Sequence, residues 1–98
     1  MPARVFEIRP KDRPLLEAAL ADDTLSRQSI VIRESKSVGV DRDTLAVLVE
    51  GSDAGILRAE GLILDFGRRM PEQDAVIAHI KAEESDAADG VGFIFGDV

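Results

Sequence analysis

The segment 44–50 constrains the fold more than any other, because Leu45, Ala46, Val47, Leu48 and Val49 follow one another without a charge and Glu50 ends the run. Successive side chains of a strand point to opposite faces, so this run is apolar on both. Such a strand belongs near the middle of a sheet, with something covering each face. The rest of the chain must supply its neighbours and its cover.

Outward from that strand, Val5, Phe6 and Ile8 between Arg4 and Arg9 form a β-prone run closed by Pro10, which cannot donate to a ladder. Asp12 stands where an N-cap would, ahead of Pro14 and of Leu15, Leu16, Ala19 and Leu20 at helical spacing. Ile30, Val31 and Ile32 centre a second strand over 29–33. The polar stretch 35–43, with Gly39, Asp41 and Asp43, reads as a hairpin connection into 44–50. Gly51, Ser52 and Asp53 are a stop and an N-cap. Beyond them Ile56, Leu57, Ala59, Ile63, Leu64 and Phe66 make a helical stripe ending at Gly67. Gly55 and Gly61 inside it each cost about 1 kcal/mol against Ala, which close packing on the sheet would justify. Pro71 opens 71–86, where Val76, Ile77 and Ile80 fit a helix and the alternation of Val76, Ala78, Ile80 and Ala82 fits a strand; the helix is preferred. Gly90 ends that element and Val91, Phe93 and Phe95 alternate in a last strand over 91–95.

The order β-α-β-β-α-(α)-β predicts a single α+β domain over 1–98, an antiparallel sheet of about four strands with helices on one face. By this layout the chain resembles the ferredoxin-like fold, which hosts many unrelated activities. Its better-known site types are testable on residues. An acylphosphatase-like site needs an Asn to position water, and the sequence has none. A metal chaperone needs a Cys pair in the first loop, where the chain reads Arg9-Pro10-Lys11-Asp12-Arg13. An amino-acid-sensing ACT domain usually carries Gly in that turn, and this turn lacks one. The phrases Leu48-Val49-Glu50-Gly51-Ser52-Asp53 with Ala59-Glu60, and Ala87-Ala88-Asp89-Gly90-Val91-Gly92-Phe93-Ile94-Phe95-Gly96, resemble small uncharacterised archaeal proteins, notably of methanogens. That resemblance implies a cytoplasmic protein without an assigned role.

Composition narrows the function classes. With 98 residues, 45% hydrophobic and 32% charged, the chain is too apolar for disorder, and no apolar stretch is long enough to span a membrane. The N-terminus has no apolar core of signal-peptide length, so the cytoplasm is expected. The absence of Cys removes disulfides, thiolate nucleophiles and Cys-based metal sites. A net charge of -7, with seven acids over residues 70–98 against Lys81 alone, repels phosphate backbones and argues against nucleic acid as partner.

Few constellations carry chemistry. His79 is the single imidazole and has no partner at metal-ligand spacing. No Ser sits in a G-x-S-x-G elbow. Gly90-Val91-Gly92 lacks the Lys and the following helix of a phosphate loop. Asp41-Arg42-Asp43-Thr44 starts like a calcium loop and then fails at Leu45 and Ala46. Glu83, Asp86 and Asp89 at the expected end of the third helix, beside its free carbonyls, are hard-cation ligand types and mark a candidate calcium site; no other cofactor is expected. Arg9, Lys11 and Arg13 in the first loop, at the start of helix one, mark a candidate anion site. With so little catalytic chemistry, the sequence favours a non-enzymatic binding or assembly module acting through its sheet or helical face. The expected partner is a second copy in a homodimer, or another protein, since helices on one face leave the other to be covered. The alternative is a regulatory domain that binds a small anion or small molecule through the first loop.

Overall fold

A computed structural model describes residues 1–96, with side chains described as far as residue 84. The chain runs β1 (Ala3–Ile8), α1 (Arg13–Leu20), α2 (Asp23–Ser26), β2 (Ser29–Glu34), β3 (Leu45–Glu50), α3 (Asp53–Ile63), β4 (Arg68–Arg69) and α4 (Gln73–Gly96), with 3-10 turns at Pro10–Asp12 and Ser35–Val38. The strands form one antiparallel sheet in the order β2-β3-β1-β4. The doubly apolar β3 takes an interior place, as its composition requires. It pairs with β1 from Ala3↔Glu50 to Ile8↔Leu45 and with β2 from Ser29↔Glu50 to Glu34↔Leu45. This is the split β-α-β arrangement expected from the element order.

Both sheet faces are packed. On one, Phe6, Ile8, Val47 and Val49 meet Leu16 and Ala19 of α1, Leu25 of α2, and Ile56, Ala59 and Ile63 of α3. On the other, Val5, Ala46 and Leu48 meet Val38, Val40 and Met70, with Val76 and Ile80 of α4. The chain itself therefore covers the second face, for which the sequence suggested another copy. Ser52 caps α3 as expected, its Oγ accepting from the Gly55 N–H at 3.0 Å. Gly39, at φ 88, closes the 3-10 turn that leads towards β3.

Several expectations change. Residues 71–86 are helical, but the helix does not end there, and the expected strand 91–95 lies inside α4. Val91, Ile94 and Phe95 also have the i, i+3, i+4 spacing of a helix, so alternation alone did not decide between the two. The fourth strand is instead Arg68–Arg69, held at Phe6↔Arg69 and Glu7↔Arg68. The second long helix stops at Ile63, and the Phe66 and Gly67 N–H groups both donate to the Ile63 carbonyl. Gly55 faces the Gln28 side chain and Gly61 faces open space, so neither serves to bring α3 onto the sheet; the close approach is at Gly67. Asp12 does not cap α1; its carboxylate accepts from Arg9 Nε at 2.9 Å. Among the described residues no helix is long and apolar enough to cross a membrane.

Candidate functional site

A strand that buries alternate residues on both faces leaves no obvious place for a carboxylate, yet Glu7 of β1 is only 3% exposed. It points to the α4 side of the sheet, beside Val5 and opposite Ala46. A buried charge needs partners, and Glu7 gathers three, Arg42 and Thr44 ahead of β3 and Arg68 of β4. Arg42 donates Nε to Oε2 at 2.8 Å and Nη2 to Oε1 at 3.2 Å. Arg68 of β4 donates Nε to Oε1 at 2.7 Å. The Thr44 hydroxyl donates to Oε2 at 2.6 Å and lies 2.6 Å from the Ser35 Oγ. Arg42 turns its remaining edge to Glu72, just before α4, with Nη1 to Oε2 at 2.8 Å and Nη2 to Oε1 at 2.6 Å. One guanidinium thus bridges two carboxylates, using the planar fork that a Lys lacks.

The electrostatics follow from these contacts. Burial alone would raise the Glu7 carboxyl, but hydrogen bonds from Arg42, Thr44 and Arg68 outweigh it and hold the group down at about 2, from the ordinary 4.5. Arg42 is raised, through its hydrogen bonds to Glu72 and Glu7, and Glu72 is lowered by Arg42. Glu7 is therefore ionised at any physiological pH, and both its oxygens are taken. Such a carboxylate cannot act as a general base near neutrality, and it has no oxygen facing a metal. What it does is fix the positions of two guanidinium groups.

Those groups border a hollow of about 340 Å³ where the chain leaves β1, with Arg9 on the same wall and Ile8 and Phe66 as its apolar part. Of the first-loop cations named from sequence, Arg9 lines this hollow and pairs with Asp12, while Arg13 lines a neighbouring hollow and pairs with Glu17 at 3.6 Å. Lys11 lines neither. The sequence thus located one member of the cluster. Glu7, Arg42, Thr44, Arg68 and Glu72 escaped it because they are far apart in the chain. Their only local signal was a single charge inside the apolar run of β1.

The acidic site named from sequence is dispersed. Glu83 faces Arg33, with Nε at 3.4 Å, and His79, with Nε2 at 3.6 Å. The Asp86 and Asp89 side chains lie outside the described residues. Their backbone is mid-helix, since α4 continues to Gly96, so the free terminal carbonyls invoked for a calcium site are not beside them. Among the described residues no three His, Asp or Glu side chains gather as metal ligands.

A second feature lies across the molecule from β4. β2 is the other border of the sheet, six residues long, and its Ile30, Val31 and Ile32 are half-buried where a covered strand would hide them. The Gly51 N–H donates to the Pro2 carbonyl and the Ser35 N–H to the Thr44 carbonyl, which fixes the alternation of both ladders. By that alternation Ser29, Val31 and Arg33 bond to β3, whereas the N–H and C=O groups of Ile30, Ile32 and Glu34 point away from the sheet. Arg33 Nη1 folds back onto the Ile32 carbonyl at 3.1 Å, and the Ser37 hydroxyl donates to that of Glu34 at 2.7 Å. No family model, curated protein or solved structure matches the chain.

Proposed function

We propose that the protein is a non-enzymatic assembly module that pairs with a second copy of itself along β2. The observation that carries this reading is the open backbone edge of β2, beside half-exposed β-branched side chains. Such an edge is a template for another strand unless it is blocked. The opposite border needs no such partner, since β4 has only two residues.

The sequence of β2 suits a twofold axis. Antiparallel pairing centred on Val31 sets Ile30 opposite Ile32 of the second copy, both with outward N–H and C=O groups, so the pair exchanges two hydrogen bonds on each side of the axis. Val31 then meets its own copy, Ser29 meets Arg33 and Gln28 meets Glu34, and no two like charges stand opposite. Centring on Ile32 instead sets Ile30 against Glu34 and Val31 against Arg33, a poorer match. The product is a continuous eight-stranded sheet. Arg33 acts as a guard on this edge, because it must release the Ile32 carbonyl before pairing, which weakens assembly and moves it to higher concentration. A Cys-free chain needs no oxidising compartment, and we place the protein in the cytoplasm.

Sedimentation velocity over a concentration series tests the reading. The wild type shifts from monomer to dimer as concentration rises. Ile32→Pro, which deletes an outward donor and leaves the β3 ladder intact, stays monomeric with an unchanged far-UV spectrum. Arg33→Ser, which removes the guard, dimerises more tightly. A wild type that is strictly monomeric at its solubility limit overturns the proposal.

A further inference from the structure

The chain is acidic, at -7, yet the hollow beside β1 is lined by three guanidinium groups, those of Arg9, Arg42 and Arg68, against the single carboxylate of Glu7. Arg42 is held on one edge by Glu7 and on the other by Glu72, Arg68 is held by Glu7, and Arg9 is held by Asp12 through Nε alone. Arg68 uses Nε and Nη2 on Glu7. Nη1 of Arg68 and both Nη groups of Arg9 are left without a partner among the described residues. These three cations lie 35%, 59% and 61% exposed for Arg42, Arg68 and Arg9 respectively, so the deepest is the one anchored twice. The remaining wall is apolar, with Ile8 and Phe66, and Gly67 presents bare backbone there.

We propose that this hollow binds a small organic oxyanion, with its charged head on Arg9 and Arg68 and an apolar body against Phe66 and Ile8, while Arg42, engaged on both edges by Glu7 and Glu72, adds positive charge behind them. Guanidinium forks match phosphate and carboxylate oxygens in the same plane, so both heads share the recognition chemistry. Glu7 serves as a positioning residue. It holds Arg42 and Arg68 against swinging into solvent, and by engaging Arg68 through Nε and Nη2 it leaves Nη1 for the ligand. Asp12 does the same for Arg9 from the 3-10 turn. A volume of about 340 Å³ admits a head group with one ring and excludes a nucleotide chain. This inference is independent of β2, which lies on the other border of the sheet.

Amide chemical shifts of the full chain, titrated with phenyl phosphate, benzoate and inorganic phosphate, provide the test. The expected result is saturable change confined to residues 7–9, 42–44 and 66–68, with the ring-bearing ligands binding more tightly than inorganic phosphate. Stronger binding of phenyl phosphate than of benzoate identifies the head as a phosphate monoester, and the reverse order identifies a carboxylate. Arg9→Ala, on an exposed side chain whose loss the fold tolerates, weakens binding about tenfold, as loss of a charge-assisted contact does. Arg68→Gln weakens it similarly, and Lys11→Ala, outside the hollow, leaves it unchanged. Uniform unsaturable drift with all three ligands overturns the proposal, as does wild-type affinity in Arg9→Ala and Arg68→Gln together.

Discussion

The ionised state of Glu7 ties a single side chain to the acid stability of the whole protein. Its folded carboxyl lies at about 2 and its unfolded value is the ordinary 4.5, so the native state prefers the proton-free form. The resulting stabilisation, about 3 kcal/mol, is complete above the unfolded value and is lost as pH falls through the folded one. Glu72, lowered by the same Arg42, adds a contribution of the same sign. Urea unfolding between neutral and acid pH measures this, and Glu7→Gln is expected to lose about 3 kcal/mol at neutral pH and to show a flatter acid limb than wild type. Two glycines give a contrasting pair. A Cβ at Gly67 would lie 2.7 Å from Ile8 Cγ2 and 2.9 Å from the Glu7 carbonyl oxygen, and backbone cannot give way. Gly67→Ala is expected to cost about 1–3 kcal/mol. A Cβ at Gly61 meets nothing, so Gly61→Ala, inside α3, is expected to add about 0.5–1 kcal/mol. Thermal melts of the two variants should move in opposite directions. At this scale the sequence was a partial guide. It placed Ser52 as a cap because capping is local, and it missed the use of Glu7 because the partners that make burial tolerable stand at 42, 44 and 68.

Among the elements, α4 changes the molecule most relative to what its pattern suggested. Val76 and Ile80, one turn apart, close the second face of the sheet over Val5, Ala46 and Leu48. Ile80 is fully buried, so Ile80→Ala is expected to cost about 2–5 kcal/mol in denaturant unfolding, and to bind a hydrophobic dye more strongly if the face opens. The helix was legible in 71–86, where the apolar residues recur at helical spacing and acids stand in the first turn. Its continuation through 91–95 was not, since Gly90, Gly92 and Gly96 punctuate a segment that fits either period. β4 was illegible for a different reason. Arg68 and Arg69 have no β-branched or apolar alternation, and they join the sheet through ionic contacts, Arg68 with Glu7 and Arg69 with Glu60 of α3. β3, by contrast, announced its interior place because five consecutive uncharged apolar residues satisfy nothing else.

At the level of the whole molecule, the sheet order sets the sequence of events during synthesis. β1 leaves the ribosome first, but its two neighbours are β3 and β4, so the strand has no partner until residue 50 has emerged and no second one until residue 69. The counter-charges of Glu7 arrive equally late, at residues 42 and 68. Until β3 has formed, β1 is thus an apolar strand with two open borders, and of the strands α1 has only that one to lie against. Folding through such distant pairings is slow compared with folding through local contacts. The sheet is therefore complete only when the short arginine strand docks on β1.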